Sequence, residues 1–353
     1  MEFKRYNNFD ALASLKDDWD LLVEKSPCNV PFLTYKYLKT WWDTCGGGEW
    51  RAESELVLVA AFEDDALVGI APLFHAKNLL GDPALMFVGA IEVSDFLDFI
   101  VEPQNLPGFV SGLIEFLLAE EAIPQWDVLD LYNILEESPT LAVLKDESDR
   151  RDWTHKQVRL QPSPFIPLPG NFDDYLMQID KKQRHEIRRK LRNVEDSLAA
   201  GRFYFTEGGD DLRDEVQAFV DMMAQDPSKK AFLTDQMIQH IHNTAQTAAE
   251  DGYLHLAFFT LDGNKAAANL SFNYNNRLWL YNSGWDWEYR DYSPGWVLLA
   301  HLIQWANENG IEEFDFMRGD EPYKYKFGGQ DRFIYRVTLT PQFKTTAVHT
   351  SCL

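Results

Sequence analysis

Cysteine is scarce in this chain. Three residues, Cys28, Cys45 and Cys352, stand in a length of 353. They lie far apart and show no metal-ligand spacing, which excludes a disulfide framework and a cysteine-built zinc site. The eight histidines form no pair of the metalloenzyme kind, so no metal is expected; His185 and His255 have no recognisable Ser or Cys partner. Long apolar runs are also missing, none approaching the roughly 20 residues of a membrane span. The opening "MEFKRYNNFDALASL" has no apolar core and no cleavage motif, so no signal peptide is expected. The final "TSCL" lacks the cysteine position of a prenylation box. Positive charge is the last shortage: 33 basic residues against 56 acidic ones leave a formal charge of −23. That balance disfavours DNA and other nucleic acids as partners. The expectation is a soluble, cytoplasmic protein whose oligomeric state the sequence leaves open.

Aromatic residues are plentiful, at 14% with 11 Trp and 24 Phe, and the length suits two domains. The chain also repeats itself. "PFLTYKYLKTWW" from Pro31 returns as "AFLTDQMIQHIH" from Ala231, each with a threonine, Thr34 or Thr234, placed to cap an amphipathic helix. "ELVLVAAFEDDALVGIAPLF" from Glu55 aligns without gaps on "YLHLAFFTLDGNKAAANLSF" from Tyr253. Leu56, Leu58, Asp64 and Phe74 then fall on Leu254, Leu256, Asp262 and Phe272, and each segment reads as a β-hairpin. "PGFV" at Pro107 recurs as "PGWV" at Pro294, each opening an apolar helix that leads to a strand. The pattern is a tandem duplication of the α/β (α+β) class: a first half over residues 1–150, a polar, Pro-rich linker over 151–170, and a second half over 171–353.

A helix, a hairpin, a strand, a glycine-turn helix and a further strand resemble the GNAT acyltransferase unit. The stretch "YNSGWDWEYRDYSPGWVLLAHLIQWANENGIEEFDFMRGDEPYKYKFG" is similar to the C-terminal signature of the CelD-like (BioF-type) acetyltransferases, carried by Asp286, Tyr289, Ser293-Pro294-Gly295, Asp315, Gly319-Asp320 and Tyr323-Lys324. "KKQRHEIRRKLRNVE" resembles that family's basic entry helix, and "VSDFLDFIVEP" its first-half loop. That family is in turn similar to the Fem peptidyltransferases, which are tandem GNAT folds. The resemblance implies twisted mixed sheets flanked by helices, and transfer of an acyl group, acetyl first of all, from acetyl-CoA or another acyl-CoA to an amine or a sugar hydroxyl. It leaves a small molecule, a glycan or a peptide as acceptor. Where a typical GNAT domain carries Gln/Arg-x-x-Gly-x-Gly/Ala at its pyrophosphate turn, this chain has "YRDYSPGWVL", with one glycine and one basic residue, Arg290.

Three stretches are candidate sites. Ser293, Gly295 and the neighbouring Trp296 open a helix whose free N–H groups favour an anion, with Arg290 beside them as a cofactor contact. Lys181, Arg184, Arg188 and Arg192 form one stripe of a helix, with Ile187, Leu191, Val194 and Leu198 opposite. Arg184 and Arg188 are its candidates for steering an anionic substrate. The third stretch is "MRGDEPYKYKFGG", Met317 to Gly329, between a strand and a glycine pair. Acylation of an amine needs a base, donors for the developing oxyanion and a proton for the leaving thiolate. Asp320 or Glu321 is a candidate base, Tyr323 a candidate acid for the thiolate. Lys324 matches the lysine that serves the reaction centre late in the Fem second domain, and the bland alternative is a β-bulge with the lysines pointing outward. Asp95 and Asp98, in "SDFLDF", and Asp286 complete the candidate substrate contacts. Two other functions stay open: aminoacyl transfer from charged tRNA, as in Fem enzymes, and a non-catalytic ligand-binding protein on the same fold.

Overall fold

A computed structural model describes residues 1–46, 54–197, 200–209 and 211–342. Leu198 of the apolar stripe and Cys352 lie outside the described residues. The strands are β1 (Glu2–Tyr6), β2 (Glu55–Glu63), β3 (Ala66–Lys77), β4 (Pro83–Phe87), β5 (Ile100–Val101), β6 (Val128–Leu135), β7 (Thr154–Pro162), β8 (Phe165–Pro167), β9 (Gly201–Thr206), β10 (Leu254–Leu261), β11 (Asn264–Tyr274), β12 (Arg277–Trp285), β13 (Glu313–Asp315) and β14 (Phe333–Thr340). They form two mixed sheets, one in the order β1-β2-β3-β4-β6-β14-β7 with β5 on β3, the other in the order β8-β13-β12-β11-β10-β9.

The repeat is present in detail. Helix Tyr35–Cys45 precedes β2, β3 and β4, then helix Leu106–Ala119 and β6; helix Asp235–Glu250 precedes β10, β11 and β12, then helix Pro294–Glu308 and β13. Both sets pair antiparallel, antiparallel, then parallel. Leu56 faces Phe74 across the first hairpin and Leu254 faces Phe272 across the second. Each hairpin carries a register shift at the equivalent place, Ala61/Phe62 and Phe259/Thr260. Asp64 and Asp262 both turn the chain through positive φ, 48° and 50°, which short polar side chains tolerate. Thr34 and Thr234 occupy both N-cap positions, but only Thr234 caps with its side chain, accepting from Met237 N. The Thr34 hydroxyl donates to Pro31 O instead.

The equivalent helices Tyr35–Cys45 and Asp235–Glu250 pack on each other. Thr40 and Thr247 share a hydrogen bond of 2.9 Å there, and Gln236 donates to the carbonyls of Thr44 and Cys45. Phe32 reaches Phe272 and Trp279 of the second half, ring centroids 5.9 and 6.3 Å away. One apolar core therefore runs through both halves. A second core lies under helices Lys181–Glu195 and Pro294–Glu308, on the other face of the second sheet.

The polar stretch expected as a linker over 151–170 is structured. β7 edges the first sheet and β8 pairs β13 in the second. β14, from the far end of the chain, enters the first sheet between β6 and β7. The mostly exposed residues of β7 and the prolines around β8 read as a loop, yet they mark edge strands, where polar side chains and Pro are tolerated. The crossover is clamped by Arg336 of β14, whose Nε and Nη2 each lie 2.7 Å from the fully buried Asp130 of β6; Asn78 also donates to that carboxylate.

Removing one partner of a buried pair leaves an uncompensated charge. Arg336→Met should cost about 3 kcal/mol in urea unfolding, and adding Asp130→Asn should recover part of that loss. A second prediction concerns His255. It is buried between Phe205 and Trp305, ring centroids 4.6 and 4.3 Å away, and desolvation pushes its pKa down to about 4. The unfolded chain binds a proton near pH 6.5 that the folded chain refuses. Stability should fall as pH drops through the window between those values. His255→Phe should reduce the loss between about pH 7 and about pH 4.5 by about 2 kcal/mol, read from unfolding curves at the two pH values.

Candidate functional site

β12 is nine residues long but pairs β13 only over Arg277–Trp279. Beyond that point the two strands part, and among the described residues the β12 edge from Leu280 onward faces no strand. A register shift against β11 at Leu270/Ser271 leaves Tyr281 as an extra residue on β12, a bulge that bends the strand. Gly284 holds this segment against helix Leu212–Met223: a Cβ there would lie 2.6 Å from the Met223 backbone N. Two cavities open on the bare edge, and both are lined by Leu280, Ser283 and Tyr323.

The larger cavity, about 390 Å³, lies at the N-terminus of helix Pro294–Glu308. Ser293, Gly295, Trp296 and Arg290 all line it. Ser293 sits in the left-handed region, φ 51°, which aims the first turn at the cavity. Its hydroxyl accepts from Lys190 Nζ at 2.7 Å, and the same ammonium stands 4.7 Å from the Trp296 ring centroid. Burial pushes the Lys190 pKa down. A helix N-terminus and a partly desolvated ammonium together suit an anionic group. Arg290 is mostly exposed, at the mouth.

Lys190 was not among the sequence-level candidates; Arg184 and Arg188 were, and they lie away from the two cavities. Arg188 pairs with exposed Asp173 at 3.0 Å, and Arg184 donates to Leu176 O and Met177 Sδ. The regular stripe lies beside the buried face of Ile187 and Val194, whereas Lys190 sits off the stripe and reaches the neighbouring helix start. The signal was present in "RRKLR", but which basic residue meets a cavity depends on how the helix docks.

The smaller cavity, about 220 Å³, lies between the halves and is lined by Asp95, Lys229, Arg318, Glu321 and Lys324 among others. "MRGDEPYKYKFGG" is no β-bulge. Asp315 Oδ1 accepts from Met317 N at 2.6 Å and holds Met317 at φ 61°. Gly319 follows at φ 110°, and Pro322–Lys326 forms a short helix. The carbonyls of Met317, Arg318 and Gly319 thereby converge on Lys324 Nζ at 3.0, 2.7 and 3.1 Å, with Glu321 Oε2 at 2.9 Å. Lys324 is 2% exposed. An ammonium has three donors, and these acceptors use them all, so Lys324 has none left for an oxyanion or phosphate: it holds the loop together. Glu321 is tied to it, and Asp320 is exposed and lines neither cavity.

Arg318 leaves the same loop and enters the first half. Its guanidinium donates to Ile91 O, Glu92 O and Asp95, and its backbone N donates to Asp95 Oδ2 at 2.8 Å. Asp95 thus faces the cavity between the halves as a clasp. Asp98 does not reach it. Fully buried, it accepts from Ser138, Thr140 and Phe99 N, and burial lifts its pKa to about 6. Asp286 caps the 3-10 turn Trp287–Tyr292 by accepting from Glu288 N, and lines neither cavity. Asp286 thus serves a turn, and Asp98 serves the buried hydroxyls of Ser138 and Thr140.

Tyr323 stands where the cavities meet, its ring edge-on to Phe316 at 6.1 Å. Burial, and then Glu321, push its pKa well above the usual tyrosine value, so the phenol stays protonated near neutrality. Among the described residues, no group of His, Cys, Asp or Glu is placed to hold a metal ion, and no helix is long and apolar enough to cross a membrane.

Residues 181–325 match the family described as acetyltransferase (GNAT) domain. Over nearly its whole length the chain also resembles solved structures. FemX aligns with 95% of this chain and 97% of its own, at 14% identity and TM-score 0.64. A conserved protein of unknown function from Bacteroides thetaiotaomicron VPI-5482 aligns with 96% and 99%, at 12% identity and TM-score 0.60. L-PGS from Bacillus licheniformis aligns with 87% and 92%, at 11% identity and TM-score 0.53. No curated protein sequence matches the chain. The fold is a tandem GNAT-like fold, and both cavities lie in its second, GNAT-matched half or at that half's border with the first.

Lys324 offers a test that needs no substrate. Lys324→Met keeps most of the stem but strips three carbonyls of their shared donor. Denaturant unfolding should show a loss of about 2–4 kcal/mol; an unchanged midpoint would mean that the ammonium does not brace the loop.

Proposed function

We propose that the protein is an acyltransferase of the CelD-like kind that moves an acyl group, acetyl in the simplest case, from acyl-CoA to an amine or hydroxyl acceptor by direct attack on the thioester. The observation that carries this reading is the junction itself: two cavities meeting at an unpaired strand edge, with the Tyr323 phenol between them. The larger cavity suits the donor. Its helix start, Gly295 N–H and Lys190 would receive the pyrophosphate, with Arg290 at the mouth. The open β12 edge suits the amide-bearing arm of CoA, which can pair with it as an added strand would. The smaller cavity, between the halves, is assigned to the acceptor. Its charged lining points to a polar acceptor, and Glu92, Asp95 and Glu321 supply carboxylates to that lining.

In this scheme Tyr323 protonates the departing thiolate. Its raised pKa keeps the proton available, and its position lets it serve donor and acceptor alike. Lys324 is a positioning residue that fixes the loop carrying Tyr323 and Arg318.

Tyr323→Phe should keep the packing against Phe316 and lower acyl transfer by about 100-fold, with a larger drop for thioesters of poorer leaving thiols. Lys190→Met should weaken CoA binding by about tenfold in calorimetry, since a charge-assisted contact is worth about 1.5 kcal/mol. A Tyr323→Phe enzyme at full rate, or binding of aminoacyl-tRNA without acyl-CoA, would move the reading to another donor or another acid.

A further inference from the structure

The acceptor cavity contains a lysine with no assigned task. Lys229 lies on the short helix Pro227–Phe232, whose N-cap is Asp226. Its Nζ reaches across to β12, donating to Asn282 Oδ1 at 3.0 Å and to Ser283 O, and it lies 3.3 Å from Ser283 Oγ. It forms no ion pair with any described residue, which is unusual for a largely desolvated lysine in a chain so rich in acids. Asp226, Glu321 and Lys324 are the charges that act on it. Desolvation outweighs the two carboxylates, Lys324 adds to it, and the pKa is lowered. The charged form donates to all three oxygens; once deprotonated, the amine keeps two N–H groups on the two carbonyl-type oxygens and turns its lone pair to the hydroxyl proton of Ser283.

Ser283 lines both cavities. Its hydroxyl stands on the bare β12 edge, between the place assigned to the thioester and the place assigned to the acceptor.

We propose that Lys229 takes up, through the Ser283 hydroxyl, the proton that the acceptor loses during acyl transfer. This rests on the acyltransferase reading of the junction. As the acceptor nitrogen or oxygen forms its bond to the thioester carbon, the carbonyl electron pair moves onto oxygen. The acceptor proton passes to Ser283 Oγ while the Ser283 proton passes to Lys229 Nζ. When the intermediate collapses, the C–S bond breaks and the thiolate takes the Tyr323 proton. Lys229 then loses its proton to solvent and Tyr323 regains one, so the cycle is neutral in protons. The acid and the base of the reaction are therefore both placed at one strand edge, and neither is a carboxylate.

The test has two arms on the whole protein. In the first, trace acetic anhydride labels the lysines competitively across a pH series, and mass spectrometry reads each peptide. Lys229 should reach half-labelling at a lower pH than exposed Lys182 and Lys230. Titration together with those lysines overturns the proposal. In the second, Lys229→Arg keeps the donors but is charged throughout and cannot accept a proton at working pH. Release of CoA thiol from acetyl-CoA, with water in the acceptor's place, should fall at least about 100-fold. Acetyl-CoA affinity in calorimetry should stay within about twofold. An arginine variant that releases thiol at the wild-type rate overturns the relay while leaving the acyltransferase reading intact. A wild-type protein that binds no acetyl-CoA overturns that reading, and the relay with it.

Discussion

The collar of three carbonyls around Lys324 is the constraint on which the site depends. Met317, Arg318 and Gly319 point their oxygens inward at one ammonium, and that arrangement forces everything else in the loop outward. Arg318 is sent into the first half, where Ile91, Glu92 and Asp95 receive it. Tyr323, one residue before the lysine, is placed at the meeting of the two cavities. A single buried cation thus couples the seam between the halves to the position of the candidate acid. In a chain of charge −23, a buried positive charge is served chiefly by backbone carbonyls, which supply partial negative charge with smaller desolvation cost than a carboxylate.

The same economy of connection governs the fold. Two copies of one unit pack through their equivalent helices, and the strands that follow each copy are exchanged: β14 completes the first sheet and β8 the second. Neither sheet is complete without residues from the other half of the chain. The acceptor cavity lies along this shared border, so its shape follows from how the halves dock and not from either alone.

Much of the fold was legible because duplication writes itself twice. The paired aspartates Asp64 and Asp262, the facing Leu–Phe pairs and the Pro-Gly helix starts are local features with local causes, and they appear where the sequence puts them. The exchange of β14 was not legible, since a strand's partner across two hundred residues leaves no mark in its own alternation. The site was legible in part. Ser293, Gly295, Trp296 and Arg290 come together because a turn and its helix are neighbours in sequence. Lys190 and Lys229 were missed, because their meaning lies in what they dock against. Charge between glycines signalled Lys324 as a special position, but its contacts to the loop's own backbone were not legible. Asp98 and Asp286 show the converse, acids that read as candidate substrate contacts until their partners are seen.

The claim on which the account turns is that one junction receives the donor on one side and the acceptor on the other. A crystal structure of the protein with bound CoA tests it most directly. The expected result has the pyrophosphate at Gly295 and Lys190, the amide-bearing arm along the edge of β12, and the thiol between Ser283 and Tyr323. CoA bound along the exposed stripe of Arg184 and Arg188, with the junction bare, would contradict it.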